Sequence, residues 1–327
     1  MRRREFITLL GALTIAGPPA ADAQMAAGKP ARVGLFASDN PVMGPATDAF
    51  LDELRRAGFV EGQNLTVDRR STAQDSTAFQ VQAAEMVRTN SDVLVALGSE
   101  PVLQACMQAS RTLPIVFVAI NYDPIARGYV RSLAAPGGNA TGVFLRQTEL
   151  AEKQVELLTQ AFPDRTRLAV FWDAISADQF AAASQRAILL GLEIQSYKME
   201  HPPYDIAKVY RNVSDGGANS VLVLSSQFIA QQRDQIVEHA INQRLPTMFI
   251  FKAYVDAGGL LSYGANNKAM YRQGAVYVVK ILRGAKPVDL PVEQPTTYEL
   301  AVNLRTAKAI GVELPTSILL RADEVIE

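Results

Sequence analysis

The chain is short of the residues from which metal sites and disulfides are built. Its 327 residues include one cysteine, Cys106, so an internal disulfide is impossible. The two histidines, His201 and His239, lie on opposite sides of a predicted strand, and neither has a cysteine or a second histidine at metal-ligand spacing. We therefore expect no metal site, no cofactor and no catalytic role for either histidine.

Motifs of the common nucleotide-binding and hydrolytic sites are missing as well. No G-x-G-x-x-G follows a predicted strand, and neither a Walker lysine motif nor a G-x-S-x-G is present. The glycine-rich PGGNATG at 136–142 has no helix directly after its glycines, so a phosphate cradle is not expected there. No pair of acidic residues stands out as a general acid and base. These absences argue against an enzyme.

Charge and hydropathy exclude two further classes. The net charge is -1 with 20% charged residues, which leaves no basic footprint for nucleic acid. Beyond the N-terminal segment, no run approaches the roughly 18 consecutive apolar residues that a membrane-spanning helix requires. We expect neither a nucleic-acid partner nor a membrane-embedded segment in the mature protein.

The N-terminal segment, MRRREFITLLGALTIAG, reads as an export signal. Its apolar run is shorter than the roughly 20 residues that cross a bilayer, and the two prolines at 18–19 end it. The sequence Ala-Asp-Ala at 21–23 matches the A-x-A pattern of a cleavage site. Residues 1–23 are therefore predicted to be a signal peptide cleaved near Ala23. The arginine pair before Phe6 and Ile7 favours a twin-arginine signal. The alternative, an amphipathic first helix, is disfavoured because the run has no helical period.

From about residue 31, short apolar runs alternate with helix-length amphipathic segments. The continuous apolar runs DVLVAL at 92–97, PIVFVA at 114–119, RLAVFW at 167–172 and SVLVLS at 220–225 are typical of strands buried on both faces. Two such strand–helix series, separated by PGGN at 136–139, predict two α/β lobes with parallel sheets. We also predict a helix that starts at Asp123-Pro124 and one helix over Ile229 to Ile241.

Polar side chains gather directly after the predicted strands. Ligands of parallel α/β sheets bind at that edge, where helix N termini also attract anions. Helix capping explains each residue singly, but two lobes that present such edges across a cleft suit a small polar ligand. The candidate ligand-binding residues are Ser38, Asn40, Ser99, Glu100, Asn121, Tyr122, Asp123, Asp173, Ser225, Gln227, Phe228 and Tyr263, and Asp39 shares the first of these loops.

Several stretches carry a family resemblance through their order and spacing. They are RREFITLLG, LRRAGFVEGQNLTVDRR at 54–70, PIVFVAINYDPIARGYVRSLAAPGGNATGV at 114–143, the segment from AGGLLSYGANN to AIGVELP at 257–315, and the ending RADEVIE. Over nearly its whole length the chain resembles the periplasmic solute-binding proteins of ABC transporters, a family that includes tryptophan and tyrosine binders.

The resemblance implies a type I periplasmic-binding-protein fold, with two Rossmann-like lobes joined by a hinge of several crossings. Residues 31–143 with about 266–290 would form lobe 1, residues 144–265 lobe 2, and residues 291–327 a segment that crosses the hinge and packs on lobe 2. A monomer in the periplasm would trap a small-molecule ligand between the lobes and deliver it to an ABC transporter permease. The ligand would be an amino acid, aromatic ones included, or a related carboxylate.

Three positions depart from the family pattern. Trp172-Asp173-Ala174 stands where many members have Trp-Asn-Pro, Ser225-Ser226-Gln227 stands near a common Pro-Asp pair, and Arg127 stands where small residues are common. These changes lie at the expected cleft edge, so the family's ligands do not transfer directly.

Local chemistry suggests roles for the edge residues. An Asp173 carboxylate is placed to pair with an ammonium group, and Ser99 with the N–H groups of its helix to hold a carboxylate. Tyr122, Phe228 or Tyr263 would stack on an apolar or aromatic part. Two alternatives stay open, a soluble sensor that signals to a membrane partner and, less favoured, an exported α/β enzyme.

Overall fold

The computed structural model describes residues 29–38, 40–71 and 76–327. The predicted signal peptide, residues 1–23, lies outside this part of the chain, as does Asp39. Where the sequence predicts alternating strands and helices, the structure confirms them, because the buried apolar runs become central strands and the amphipathic segments cover them.

The first lobe is built on a five-stranded parallel sheet. Its strands are β1 (Ala31–Ala37), β2 (Leu65–Ser71), β3 (Val93–Gly98), β4 (Ile115–Ala119) and β5 (Ala140–Phe144). The helices after the first three strands are α1 (Gly44–Arg56), α2 (Ser76–Arg88) and α3 (Glu100–Ala109). The strand order is β2-β1-β3-β4-β5. Gly142 lets β5 lie beside β4, since a Cβ there would collide with the carbonyl oxygen of Phe117.

The second lobe is built on a seven-stranded sheet. Its strands are β6 (Arg167–Trp172), β7 (Glu193–Lys198), β8 (Ser220–Val223), β9 (Thr247–Phe249), β10 (Leu261–Ala265), β11 (Tyr298–Asn303) and β12 (Glu324–Ile326). Its helices are α4 (Gln147–Ala161), α5 (Ala177–Leu189), α6 (Ile206–Gly216), α7 (Gln227–Ala230), α8 (Arg233–Asn242) and α9 (Lys252–Asp256). The strand order is β12-β11-β10-β9-β8-β6-β7.

The chain passes between the two sheets three times. It leaves the first sheet after β5 and returns after β10 through the helix α10 (Asn267–Leu282), which packs on α1, β4 and β5. It then crosses back to β11, which pairs antiparallel with β10. The last two helices, α11 (Leu304–Ile310) and α12 (Thr316–Leu319), follow on the second lobe. The returning segment is tied to β5, where Thr141 Oγ1 donates to the carbonyl oxygen of Leu290 at 2.7 Å.

Two predicted helices are wrong in detail. The segment after Asp123-Pro124 makes a single turn. Asp123 Oδ1 accepts from the N–H groups of Ile125 and Ala126 and so starts the turn, and Gly128, at φ +75°, ends it. The helix predicted over 229–241 is divided into α7 and α8. Asn303 caps α11, with its Oδ1 accepting from the N–H of Thr306 at 3.0 Å.

Candidate ligand-binding cleft

The carboxyl ends of the two sheets face each other and touch. Asn121 follows β4 and Ser225 follows β8. Asn121 Nδ2 donates to the carbonyl oxygen of Ser225 at 2.7 Å, and Ser225 Oγ donates to Asn121 Oδ1 at 3.4 Å. This pair places a neutral hydrogen-bonded bridge between the lobes, deep in the cleft. We use "first-lobe edge" for Ser38, Asn40, Ser99 and Asn121, and "second-lobe edge" for Asp173, Ser225, Ser226 and Gln227.

A small cavity lies beside the bridge, between the lobes. Its volume is about 20 Å³, room for about one water molecule. A larger ligand therefore requires the two edges to move apart. The candidates that line the cavity are Ser38, Ser99, Asn121, Ser225 and Gln227, joined by Met43, Leu97, Gly98, Ile120 and Tyr271. Sequence reasoning missed Met43, which directly precedes α1, and Tyr271, which lies on α10.

Ser99 is the most informative residue of the first-lobe edge. It is 4% exposed and lines the cavity, and its buried Oγ has no hydrogen-bond partner within the protein. The residue precedes α3 with extended backbone, and its side chain does not cap that helix. The first N–H groups of a helix have no intrahelical acceptor and carry partial positive charge. Ser99 and the N–H groups at the start of α3 are neutral donors that suit an anion, although the first turn also holds the Glu100 carboxylate and Pro101, which has no N–H.

Asn40 shapes the loop after β1. Its Oδ1 accepts from the N–H groups of Val42 at 3.0 Å and Met43 at 2.8 Å, and its own N–H donates to Ser38 Oγ at 3.3 Å. The side chain is buried, yet Nδ2 has no partner. The first-lobe edge thus holds two buried polar atoms, Ser99 Oγ and Asn40 Nδ2, whose hydrogen-bonding capacity is unused.

Asp173, on the second-lobe edge, is fully engaged within its own lobe. Oδ1 accepts from the N–H groups of Ile175 and Ser176 at 3.0 and 3.2 Å and from Ser176 Oγ at 3.2 Å. Oδ2 accepts from Tyr204 OH at 2.9 Å and from Ser226 Oγ. Burial, followed by the Asp173 charge, raises the pKa of Tyr204. The residue is 2% exposed and its carboxylate is engaged within its own lobe, and its pairing with a ligand ammonium group stays a prediction.

Ser225 is held by a glutamine that sequence reasoning missed. Gln179, on α5 and 2% exposed, accepts from the N–H of Ser225 at 3.0 Å and donates to its carbonyl oxygen at 3.1 Å. The two bonds fix the backbone that meets Asn121. A glutamine inside a helix belongs to no motif, so only the folded structure reveals this role.

Glu100 and Tyr122 belong to the first lobe and do not line the cavity. Glu100 accepts from Tyr129 OH at 2.6 Å. Burial and this hydrogen bond raise the pKa of Tyr129 to about 12. Tyr122 is buried in the core, packs edge-on against Tyr129, and its pKa is raised by burial and then by Glu100. Its ring is packed within the first lobe, and its stacking on a ligand stays a prediction.

The remaining candidates also lie away from the cavity. Asp123 is exposed and caps its turn. Phe228 borders a separate hollow of the second lobe, together with Asp173, Lys198 and His201. Tyr263 lies on β10, where its ring stacks on Tyr298 at 6.2 Å between centroids.

A wider hollow opens between the lobes on the hinge side. Its volume is about 880 Å³, and its lining includes Pro41, Arg233, Lys252 and Glu324. Three of its charged groups pair with one another, since Lys252 Nζ lies 2.5 Å from Asp256 Oδ1 and 2.9 Å from Glu324 Oε1. Arg233 Nη1 donates to the carbonyl oxygen of Pro41 at 3.1 Å, a second contact between the lobes.

Metal and membrane sites were also sought. Within residues 29–38, 40–71 and 76–327, no three His, Cys, Asp or Glu residues converge as a metal site. In the same ranges, none of the helices has the length and apolar character needed to cross a membrane.

Comparison with known proteins gives a consistent result. The family model described as ABC transporter substrate binding protein matches residues 36–326. A tyrosine-binding protein of Clostridioides difficile is 22% identical over 280 residues, which cover 84% of this chain and 79% of that protein.

Solved structures show the same fold. A conserved domain protein of Vibrio cholerae superposes with a TM-score of 0.82 at 25% identity, over 91% of this chain and 100% of that one. A Streptococcus pneumoniae ABC domain in complex with L-Trp gives 0.80 at 24% identity, over the same shares. The predicted type I periplasmic-binding-protein fold with two lobes is confirmed.

Proposed function

The chain belongs to the family of ABC transporter substrate binding proteins, and on that premise we propose that it captures a small solute between its lobes and hands it to a membrane permease. The observation that carries the proposal is the cavity between the two sheet edges, lined by Ser99 on one lobe and Ser225 on the other. No chemical step is needed for this role, and we propose none.

Closure of the lobes is the working step of this proposal. A ligand that contacts both edges binds the closed form better than the open form, and this difference in affinity shifts the population toward closure. Closure also removes water, so hydrogen bonds to the ligand gain strength in the lower dielectric. The Asn121–Ser225 bridge marks where the edges meet when the lobes come together.

We propose that the ligand carries a carboxylate, as an α-amino acid (aromatic ones included) or a related acid. Ser99 Oγ and the N–H groups at the start of α3 would receive the carboxylate. On opening of the Asn121–Ser225 bridge, Asn121 on the same lobe and Ser225 on the opposite lobe would offer acceptors for a donor group of the ligand. The tyrosine-binding relative and the L-Trp-bound neighbour support this ligand class.

The same proposal includes the compartment in which the protein acts and the two bodies that move when the lobes open and close. Residues 1–23 would be cleaved on export to the periplasm, where the mature protein acts as a monomer. Residues 31–143 with 266–290 would move as one body, and residues 144–265 with 291–327 as the other. The grouping is supported by the strands, since β1–β5 share one sheet and β6–β12 the other.

A mass spectrum of the small molecules released by denaturing the purified protein tests the proposal first. The refolded protein is then titrated calorimetrically with tryptophan, tyrosine, phenylalanine and simple aromatic acids. We expect binding heat and a raised melting temperature for at least one of them. No heat and no thermal shift across the panel would contradict the proposed ligand class.

A further inference from the structure

A charged contact spans the cleft at its outer rim, away from the neutral bridge. Arg127, in the turn after β4, places its Nη2 at 2.8 Å from Asp178 Oδ2. Asp178 lies in the first turn of α5, so the pair joins the first lobe to the second. The same guanidinium places Nε at 3.4 Å from Glu100 Oε1, on its own lobe.

The first-lobe end of this contact is anchored. Glu100 Oε1 accepts from Tyr129 OH at 2.6 Å, and Tyr129 OH accepts from Gln104 Nε2 at 2.7 Å. The Glu100 side chain is 23% exposed and that of Asp178 is 61% exposed. The arginine is therefore oriented by fixed partners on one lobe and meets a freely solvated carboxylate on the other.

We propose that Arg127 and Asp178 form an ionic strap that favours the closed arrangement of the lobes in a salt-dependent manner, before any ligand contributes. The inference rests on the proposed function, since opening and closing matter because the protein must admit and release a solute. An exposed ion pair contributes weakly and is screened by salt. The strap therefore adjusts the opening equilibrium by about two- to fivefold and does not lock the lobes.

The neutral bridge provides an internal contrast. Asn121 and Ser225 carry no charge, so salt leaves their hydrogen bond nearly unchanged. Loss of the bridge opens the lobes but keeps the salt dependence, whereas loss of the strap removes the salt dependence. This difference separates an ionic strap from a general loosening of the cleft.

The test measures the distance between the lobes without ligand. Nitroxide labels are attached to Val81→Cys on α2 and Leu189→Cys on α5, both highly exposed, and distances are read by pulsed electron resonance. The native Cys106 is buried with its pKa raised to about 12, so it stays unlabelled near neutral pH. Distances are recorded from about 0.01 M to about 1 M NaCl, where the screening length falls to about 3 Å.

We expect Arg127→Ala and Asp178→Asn each to raise the open-to-closed ratio by about two- to fivefold at low salt. High salt should move the native protein to the same distribution and leave both variants unchanged. Arg55→Ala, which removes an exposed ion pair within the first lobe, serves as the matched control and should have no effect.

The proposal is overturned if Arg127→Ala keeps the native distances at low salt, or if it keeps the native salt response. Because no ligand is added, this result is independent of the ligand titrations. If the distances show the strap but no ligand of the panel binds, the proposed ligand class is rejected and the strap stands. If a ligand binds but Arg127→Ala leaves the distances unchanged, the strap is rejected and the ligand class stands.

Discussion

The two edges of the cleft are built in opposite ways. The first-lobe edge keeps buried polar atoms without partners, Ser99 Oγ and Asn40 Nδ2. The second-lobe edge is saturated, with five hydrogen bonds on Asp173 and two from Gln179 to Ser225. A buried polar atom without a partner costs about 1–3 kcal/mol, which a ligand can recover. From this contrast we propose that the first lobe supplies most of the binding groups and the second lobe a rigid surface that closes on them.

The largest expected effect falls on the saturated edge. Asp173→Ala removes the acceptor of several buried donors, Tyr204 OH and Ser226 Oγ among them. We expect the free energy of unfolding to fall by about 3 kcal/mol, measured by urea denaturation. Asp164→Ala, an exposed aspartate of the same lobe, is the matched control and should change it by less than about 0.5 kcal/mol. Equal effects of the two substitutions would remove the claimed contrast.

Gln179→Ala tests whether the second-lobe edge must be rigid. The substitution leaves the buried N–H and carbonyl of Ser225 short of partners, so we expect a loss of about 2 kcal/mol in the free energy of unfolding. Ligand affinity should fall as well, because the loop that meets Asn121 is no longer fixed. Gln179→Glu keeps the acceptor but buries a carboxylate against the carbonyl oxygen of Ser225, so it should lose at least as much stability. Unchanged affinity in Gln179→Ala would show that the position of this loop is irrelevant to binding.

Ser99→Ala should behave in the opposite way. The hydroxyl has no partner in the folded protein, so its removal should leave the free energy of unfolding unchanged or slightly raised. The affinity for a carboxylate ligand should fall by about tenfold, roughly 1.4 kcal/mol, in calorimetric titration. Ser132→Ala, at an exposed position of the same lobe, provides the comparison. A clear loss of stability in Ser99→Ala would mean that the hydroxyl is structural.

The smallest effect concerns alkaline pH. The pKa of Tyr129 is raised to about 12 by burial and by Glu100, above its usual value of about 10. A raised folded-state pKa gives stability that is complete below pH 10 and is lost as pH rises through the folded value. Tyr129→Phe should therefore lose less stability than the native protein between about pH 10 and 12, followed by urea denaturation. An equal loss of stability in the native protein and in Tyr129→Phe would contradict the raised pKa of Tyr129.

The predictable part of the molecule is local in sequence. Apolar runs such as PIVFVA predict buried strands, and the polar residues after them predict the cleft edges, which is why Ser99, Asn121 and Ser225 could be chosen. The prediction of a helix at Asp123 is wrong because Gly128, with its positive φ, ends the helical segment after a single turn.

The pairings across the fold were not accessible in this way. Gln179 lies 46 positions from Ser225, and Asp178 lies 51 positions from Arg127, and no spacing rule connects them. The saturation of Asp173 depends on Tyr204, 31 positions away, so its structural role could not be seen in the sequence, and its contact with a ligand stays a prediction. The antiparallel return of β11 likewise follows from the last hinge crossing and not from a local pattern.

The central claim is that the first-lobe edge recognises a carboxylate. The most direct test is a calorimetric titration of the refolded protein with matched pairs, tryptophan against tryptamine, tyrosine against tyramine and phenylalanine against phenethylamine. For any acid that binds, the account predicts that the decarboxylated partner loses all measurable heat, and that Ser99→Ala weakens the acid alone. Equal binding of an acid and its decarboxylated amine would contradict it.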